Sequence, residues 1–320
     1  MDIIPYDRRY ENGVLKLLKK GLNPNFSRER FEWLHYRNPM APSDILIAMD
    51  GRKVVGFRAV IKKRIKIGDV ELIGGRDIDS TLYPEYRGKG IFSELIDRSL
   101  RDFSDVDVYF TFSNHLSAPV FMHHGWRKLD FRRMVYCVSP PALSALYMGG
   151  IYSRLLCRCR RIPANGREIQ IYDFEFQTAR EPEFPIRVCK DRDYFLWRYE
   201  QNPDKVYRYF ALRDNGEDLA LLVCSSREKW GTEVLLVLDV YNQSSFSNKE
   251  ILAAFFDFLQ KRRFRVMVDC WGQSARDLGK VMTGVKTSSF YVREAPGTEL
   301  PVDVYDVSNW YMVPGEAEYH

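Results

Sequence analysis

The segment Arg87-Gly88-Lys89-Gly90-Ile91-Phe92-Ser93 sets two cations and two glycines ahead of a run whose Ile91, Leu95, Ile96, Ser99 and Leu100 share one helical face. Glycine lets a backbone approach a ligand in torsions that other residues resist. A helix start adds N–H groups without intrahelical acceptors and a partial positive charge, which together attract anions. Arg87 and Lys89 contribute full charges beside it, so the chemistry expected here is the holding of a phosphate-bearing ligand. A nucleoside triphosphate loop requires Ser or Thr after its Lys and a further glycine five residues before Gly88; Gly90 and Tyr83 hold those places. A dinucleotide turn requires a third glycine where Ser93 stands.

Two further clusters flank the turn. Glu71–Leu82 reads as a strand ended by Pro84, and it carries Asp77 and Asp79, which strand alternation places on one face. Downstream, a strand over Val106–Phe112 leads to Asn114, Ser117, Phe121 and Gly125-Trp126, with His115, His123 and His124 interspersed. For each histidine the plain reading is an exposed or packed helix residue.

Strand, proline, glycine turn and helix, followed by Asn114, Ser117, Phe121 and Gly125-Trp126 at this spacing, resemble the GNAT acyltransferase superfamily over about residues 1 to 138. The family's pyrophosphate turn has Arg or Gln, two residues, Gly, one residue, then Gly or Ala. Arg87 and Gly90 match it, and Phe92 departs from it at the last position, a departure shared by a GNAT subgroup with an Arg-Gly-Lys-Gly-Ile-Phe-Ser turn. The resemblance implies an acyl-coenzyme A co-substrate, acetyl-coenzyme A first, and no metal. By the same resemblance, backbone N–H groups of Arg87, Gly88, Lys89, Gly90, Ile91 and Phe92 hold the pyrophosphate and Leu82 pairs with the pantetheine arm. Asn114, Ser117 and Phe121 complete the coenzyme-binding set.

The implied reaction is direct attack of an acceptor amine or hydroxyl on the thioester, with positioning and backbone polarisation of the carbonyl as the main catalytic effects. An amine must also lose a proton. Asp79 is the preferred base, since an acidic residue three before the Leu82 position recurs in related sequences, and Asp77 is the second candidate. The alternative for both is a structural carboxylate paired with Arg76 or the next strand. Many family members carry a tyrosine that protonates the departing thiolate; Phe121 stands there, so the thiolate leaves unaided or finds another donor.

The elements that must position these residues occur twice. Phe31, Trp33, Asn38 and Pro39 recur as Phe195, Trp197, Asn202 and Pro203 at an offset of 164, each copy followed by a strand, a turn at Asp50-Gly51 or Asp214-Asn215-Gly216, and another strand. The expected fold class is α/β: two GNAT-like domains, each a mixed, mostly antiparallel central sheet flanked by helices. The first spans 1–138 and carries the acyl-CoA site, 139–190 is a connector of helix plus strand, and 191–320 is a degenerate copy. In that copy Val234–Val240 is followed by Tyr241–Asn248 with no glycine and no cation before the helix from Lys249, so no coenzyme is expected there. Phe264–Cys270, Trp271, Gln273 and Gly284 read as a faded form of the 114–125 segment. Trp197, Tyr199, Trp271 and Trp310 are core residues or pocket walls. The connector has a helical pattern over 142–161 ending in Arg154, Arg158, Arg160 and Arg161, read as a solvated face.

Composition bounds the rest. A chain of 320 residues with 45% apolar and 28% charged residues is a globular protein of about two domains. Net charge is +5 with no block of one sign, which predicts no nucleic-acid partner. No export signal and no apolar run near ~18 residues is present, so the expectation is a cytoplasmic protein without a membrane span. Six irregularly spaced cysteines are then thiols, and Cys157-Arg158-Cys159 lacks a second ligand pair for zinc. The acceptor is read as a small molecule or sugar-like amine. Two other readings stand beside the transferase: a non-catalytic acyl-CoA sensor, and a tandem GNAT-like aminoacyl transferase, which the intact coenzyme turn opposes. Acyl-chain length and oligomeric state are not written in the sequence.

Overall fold

The computed structural model describes residues 1–137, 162–181, 184–229, 231–262, 266–271 and 283–317. The connector helix, its basic cluster, Cys157, Cys159 and Gln273 lie outside the described residues. The fold is the expected α/β arrangement, a mixed and mostly antiparallel sheet flanked by helices. The chain divides into two compact units.

The first unit comprises Met1–Leu129, Gln201–Asp204 and Ser289–Asn309. Strands β1 (Asp2–Pro5), β2 (Asp44–Asp50), β3 (Lys53–Ile67) and β4 (Val70–Leu82) form an antiparallel meander. Its tight turns sit at Gly51 and Gly68, whose φ of 57° and 60° suits glycine. The end of β3 alternates buried and half-buried residues, the period-2 signature of a one-sided strand. Helix α1 (Glu11–Gly21) buries Val14, Leu17 and Leu18 at helical spacing, and α2 (Arg28–His35) starts on Ser27, whose Oγ accepts from Arg30 N at 2.9 Å. Helix α3 (Ile91–Asp102) turns Ile91, Leu95, Ile96 and Ser99 inward, four of the five positions whose spacing marked its face. Strand β5 (Val108–Phe112) runs parallel to β4, and helix α4 (Ala118–His123) follows it.

The far edge of β5 is closed by a strand from late in the chain. Phe290–Glu294, the end of β13 (Thr283–Glu294), pairs antiparallel with β5, and Phe290 packs its ring against Phe110 and Phe112. No feature of the sequence assigned these residues to the first unit.

The second unit comprises Asp130–Glu200, Lys205–Ser288 and Trp310–His320. Strands β9 (Arg208–Asp214), β10 (Glu217–Lys229) and β11 (Thr232–Asn242) repeat the antiparallel order, and β7 (Asn165–Ile169) pairs with β9. Strand β12 (Val266–Trp271) runs parallel to β11, with the later residues of β6 (Arg127–Cys137) antiparallel beside it. Helix α5 (Arg192–Phe195) continues into a π turn over Leu196–Glu200, and α6 (Asn248–Lys261) covers an apolar cluster with Phe210, Leu222, Leu235 and Phe255. The short strands β8 (Ile186–Val188) and β14 (Trp310–Tyr311) pair in parallel.

Candidate active site

In the first unit the parallel ladder joins Gly74, Gly75 and Arg76 to Val108, Tyr109 and Phe110, and no farther. Thr111 caps it by donating from Oγ1 to Asp77 O at 3.0 Å. β4 runs on to Leu82, so its end is splayed from β5 and leaves strand-edge groups toward the gap. Leu82, opposite Gly56, is buried at that end, and Tyr83 N donates to Val55 O.

Pro84–Tyr86 forms one 3-10 turn, and the chain then enters Arg87-Gly88-Lys89-Gly90, all exposed. Gly88 and Gly90 have φ of 72° and 77°, and a Cβ at either would meet no atom within 4 Å. Gly90 caps α3 without any side-chain hydrogen bond, so the cap residue leaves the helix's first N–H groups to other acceptors. Lys89 Nζ lies 5.1 Å from the centre of the Tyr86 ring. These residues fit a pyrophosphate: positively biased, unobstructed and made of backbone.

The Asn114 segment is a cap. Asn114 Oδ1 accepts from Leu116 N at 2.9 Å and Ser117 N at 3.1 Å, and Ala118 N donates to Asn114 O, fixing the start of α4. Ser117 Oγ lies 2.6 Å from Ser113 Oγ. Phe121 is buried, edge-on to Phe92 at 5.8 Å and to Trp126 at 4.9 Å. His115 and His123 are exposed, while His124 Nδ1 is 2.8 Å from Asp97 Oδ1.

The two candidate carboxylates do not share a face, contrary to the alternation expected of them. Phe57 pairs with Thr81 and Ala59 with Ile78, so Arg58 stands opposite both Asp79 and Ser80, a β-bulge. Asp79 takes φ 55°, left-handed for a non-glycine residue. Asp77 forms an ion pair with buried Arg58 on the next strand and accepts from Ser80 Oγ at 2.9 Å. Arg58 also donates from Nε to Ser99 Oγ at 2.8 Å. Asp79 instead turns toward α2, where its Oδ2 is 3.9 Å from His35 Nε2. Neither of these two atoms has a hydrogen-bond partner. Burial raises the carboxyl pKa of both aspartates, Arg58 opposing it at Asp77 and Arg30 at Asp79. His35, wholly buried, is pushed down to about 3 by burial and then by Arg30. The sequence reading passed over His35, which stands in an aromatic helix face that reads as core.

Strand, proline, glycine turn and helix follow one another in the order read from the sequence. Residues 2–128 also match the model of an acetyltransferase (GNAT) domain. These residues form a GNAT domain. Acyl transfer is the chemistry of that superfamily. No curated protein matches the chain. Among solved structures it is similar to a conserved protein of unknown function and probable N-acyltransferase from Enterococcus faecalis V583, at 13% identity and TM-score 0.65, over 92% of this chain and 72% of that one. It is similar over the same shares to a GCN5-related N-acetyltransferase from Anabaena variabilis, at 10% identity and TM-score 0.65. A third, a GCN5-related N-acetyltransferase from Kribbella flavida, has 13% identity, TM-score 0.57 and coverage of 92% and 70%. At these identities the likeness is one of fold.

Beyond the GNAT domain, the end of β11 keeps the splay and loses the cradle. Its ladder with β12 covers Glu233–Leu236, and β11 continues to Asn242. There Arg180 N donates to Asn242 O at 2.6 Å, and Gln177 N to Gln243 Oε1 at 2.9 Å, so the chain lies along its own strand end. The start of α6 is closed by a capping box: Glu250 N donates to Ser247 Oγ at 3.3 Å and Ser247 N to Glu250 Oε2 at 2.8 Å. A cavity of about 220 Å³ in this unit is lined by Lys190, Asp239, Asn242, Arg180, Arg187 and Tyr311 among others. Trp197, Tyr199 and Trp310 are buried and do not line it; the side chain of Trp271 lies outside the described residues.

Among the described residues no group of three or more His, Cys, Asp or Glu is placed to hold a metal ion, and no helix is long and apolar enough to cross a membrane.

Proposed function

We propose that this chain is an N-acyltransferase that moves an acetyl group from acetyl-coenzyme A to an amine of a small-molecule or sugar-like acceptor. The observation that carries the reading is the uncapped start of α3 next to the splayed end of β4. Backbone N–H groups of Arg87 to Phe92 hold the pyrophosphate, and the Leu82 edge of β4 pairs with the pantetheine arm. Asn114, which caps α4, and Ser117 set the far wall of the coenzyme groove.

The acceptor nitrogen attacks the thioester carbon directly, the C–N bond forms, and the C–S bond breaks with its electron pair going to sulfur. Asp79 takes the surplus proton from nitrogen. Phe121 has none to give, so the thiolate departs unaided, as a thiol pKa near ~8.5 permits at neutral pH. Asp77, paired with Arg58, holds the β3–β4 pair in register rather than moving protons.

In the proposed organisation, residues 1–138 carry the transferase, 139–190 connect, and 191–320 are a degenerate copy that binds no coenzyme and lends Gln201–Asp204 and Ser289–Asn309 to the first unit. Matching Asx turns support duplication: Met40 N donates to Asn38 Oδ1 at 3.2 Å and Asp204 N to Asn202 Oδ1 at 3.0 Å. A bulge also falls in the second strand of each central hairpin, opposite Arg58 in β4 and at Leu238, opposite the Val223–Cys224 step, in β11. The test is release of free thiol from acetyl-coenzyme A in the presence of a panel of amines. Amine-dependent release is expected; coenzyme binding without release from any amine would turn the reading to a sensor.

A further inference from the structure

A buried carboxylate oxygen without a hydrogen bond, on a strained residue, is a cost that a fold keeps for a reason. Asp79 is 5% exposed, sits at φ 55° in the bulge, and its Oδ2 faces His35 Nε2 across 3.9 Å. His35 is held from its other side, Nδ1 lying 3.0 Å from Ser43 Oγ. Its ring is clamped by Phe31 at 4.7 Å and Phe57 at 5.7 Å. The charged groups around the pair are Arg30 on α2, Arg76 and Asp77 on β4, and Asp204, which pairs with Arg30 at 2.9 Å.

We infer that His35 is a positioning residue for Asp79, its Nε2–H facing Oδ2 while Ser43 sets the tautomer; this rests on the acyltransferase reading. With Asp79 ionised, Nε2–H is turned toward Oδ2 across 3.9 Å and the Ser43 hydroxyl donates to Nδ1. When Asp79 receives the acceptor's proton its carboxyl becomes neutral, the imidazole keeps its proton on Nε2, and Ser43 still donates to Nδ1. Each state has every proton assigned and differs by the one proton gained. The imidazole stays neutral throughout, which burial beside Arg30 favours.

The test is nitrogen NMR of ¹⁵N-histidine protein, with kinetics in parallel. In the wild-type protein the His35 Nε2 resonance shifts as Asp79 titrates; in Asp79→Asn it stays fixed over the same pH range. Identical His35 shifts in the two proteins at every pH would overturn the inference, whether or not the chain turns over. In kinetics, His35→Leu lowers kcat about tenfold or more and moves its acid limb to higher pH with KM for acetyl-coenzyme A unchanged, and His35→Gln, which keeps an N–H donor, restores part of the loss. Ser43→Ala, which spares the core, shifts the same limb and carries the kinetic test if His35→Leu does not fold; an unmoved limb in Ser43→Ala and His35→Gln alike refutes the assignment. Absence of all turnover in the wild type, with the NMR response intact, would remove the transferase reading and leave the His35–Asp79 contact standing.

Discussion

The Tyr199 hydroxyl donates to Asp239 Oδ2 across 2.8 Å, inside the second unit. Tyr199 stands 164 residues after His35, the offset that relates the two Phe-x-Trp segments. Each half therefore aims the helix residue two after its Trp at an aspartate on the bulged strand. In the second half the pair is saturated: Lys190 Nζ contacts both oxygens of Asp239 at 2.9 Å and Glu316 Oε1 at 2.5 Å. Lys190→Met leaves two buried carboxylates without their cation and is expected to cost about 3–5 kcal/mol, with Tyr199→Phe costing about 1–3 kcal/mol. Urea unfolding followed by tryptophan fluorescence measures both, and neither change is expected to alter coenzyme affinity.

Calorimetric titration with coenzyme A is expected to give one site per chain. The Arg180 to Asn242 hydrogen bond and the Ser247 to Glu250 capping box already satisfy the groups that a second coenzyme would need. Two sites would show that the second unit kept its function.

Gly90→Ala separates binding from folding. No atom lies within 4 Å of the added Cβ, so the stability cost is the left-handed φ of 77° alone, about 1 kcal/mol. The methyl group stands where the pyrophosphate approaches, and the dissociation constant for acetyl-coenzyme A should rise about tenfold or more, a loss of about 1.4 kcal/mol. A thermal melt and a binding isotherm on the same sample check the two parts.

Asp79→Asn is expected to lower turnover by ~10²-fold or more while coenzyme binding is unchanged. Unchanged turnover would remove Asp79 from the mechanism. Asp77→Asn instead weakens the buried Arg58 pair and should appear first as lost stability.

His35 makes the first unit sensitive to acid. Its folded pKa, about 3, lies below the unfolded value of 6.5, so the unfolded chain binds more protons between those limits. The stability it contributes is complete above pH 6.5 and is lost as pH falls toward 3, by up to about 1.4 kcal/mol per pH unit. The raised pKa of Asp79 has the opposite sign, its contribution being lost as pH rises through its folded value. His35→Gln should flatten the acid slope of unfolding free energy measured by denaturant titration at a series of pH values, and an unchanged slope would contradict the assignment.

Much of the coenzyme site is legible along the chain. Gly88 and Gly90 announce a turn because only glycine takes their torsions cheaply, and the spacing of Ile91, Leu95, Ile96 and Ser99 announces the helix that follows. Asn114 is marked by its distance from the helix it caps. Each of these is settled within one or two turns of chain. His35 escaped notice because a histidine among Phe31, Trp33 and Leu34 reads as core, and core is also where it lies.

The sequence by itself determined the first unit's main elements, their order and the glycine turn ahead of α3, since backbone torsion, strand alternation and helix periodicity are local properties. Only the tertiary structure decided which way Asp79 faces, because a bulge exists relative to a partner strand and Arg58 had to be set against two residues instead of one. It alone decided that Phe290–Glu294 closes the first unit against β5, since a strand's edge hydrogen bonds accept any backbone and its own residues do not name the neighbour.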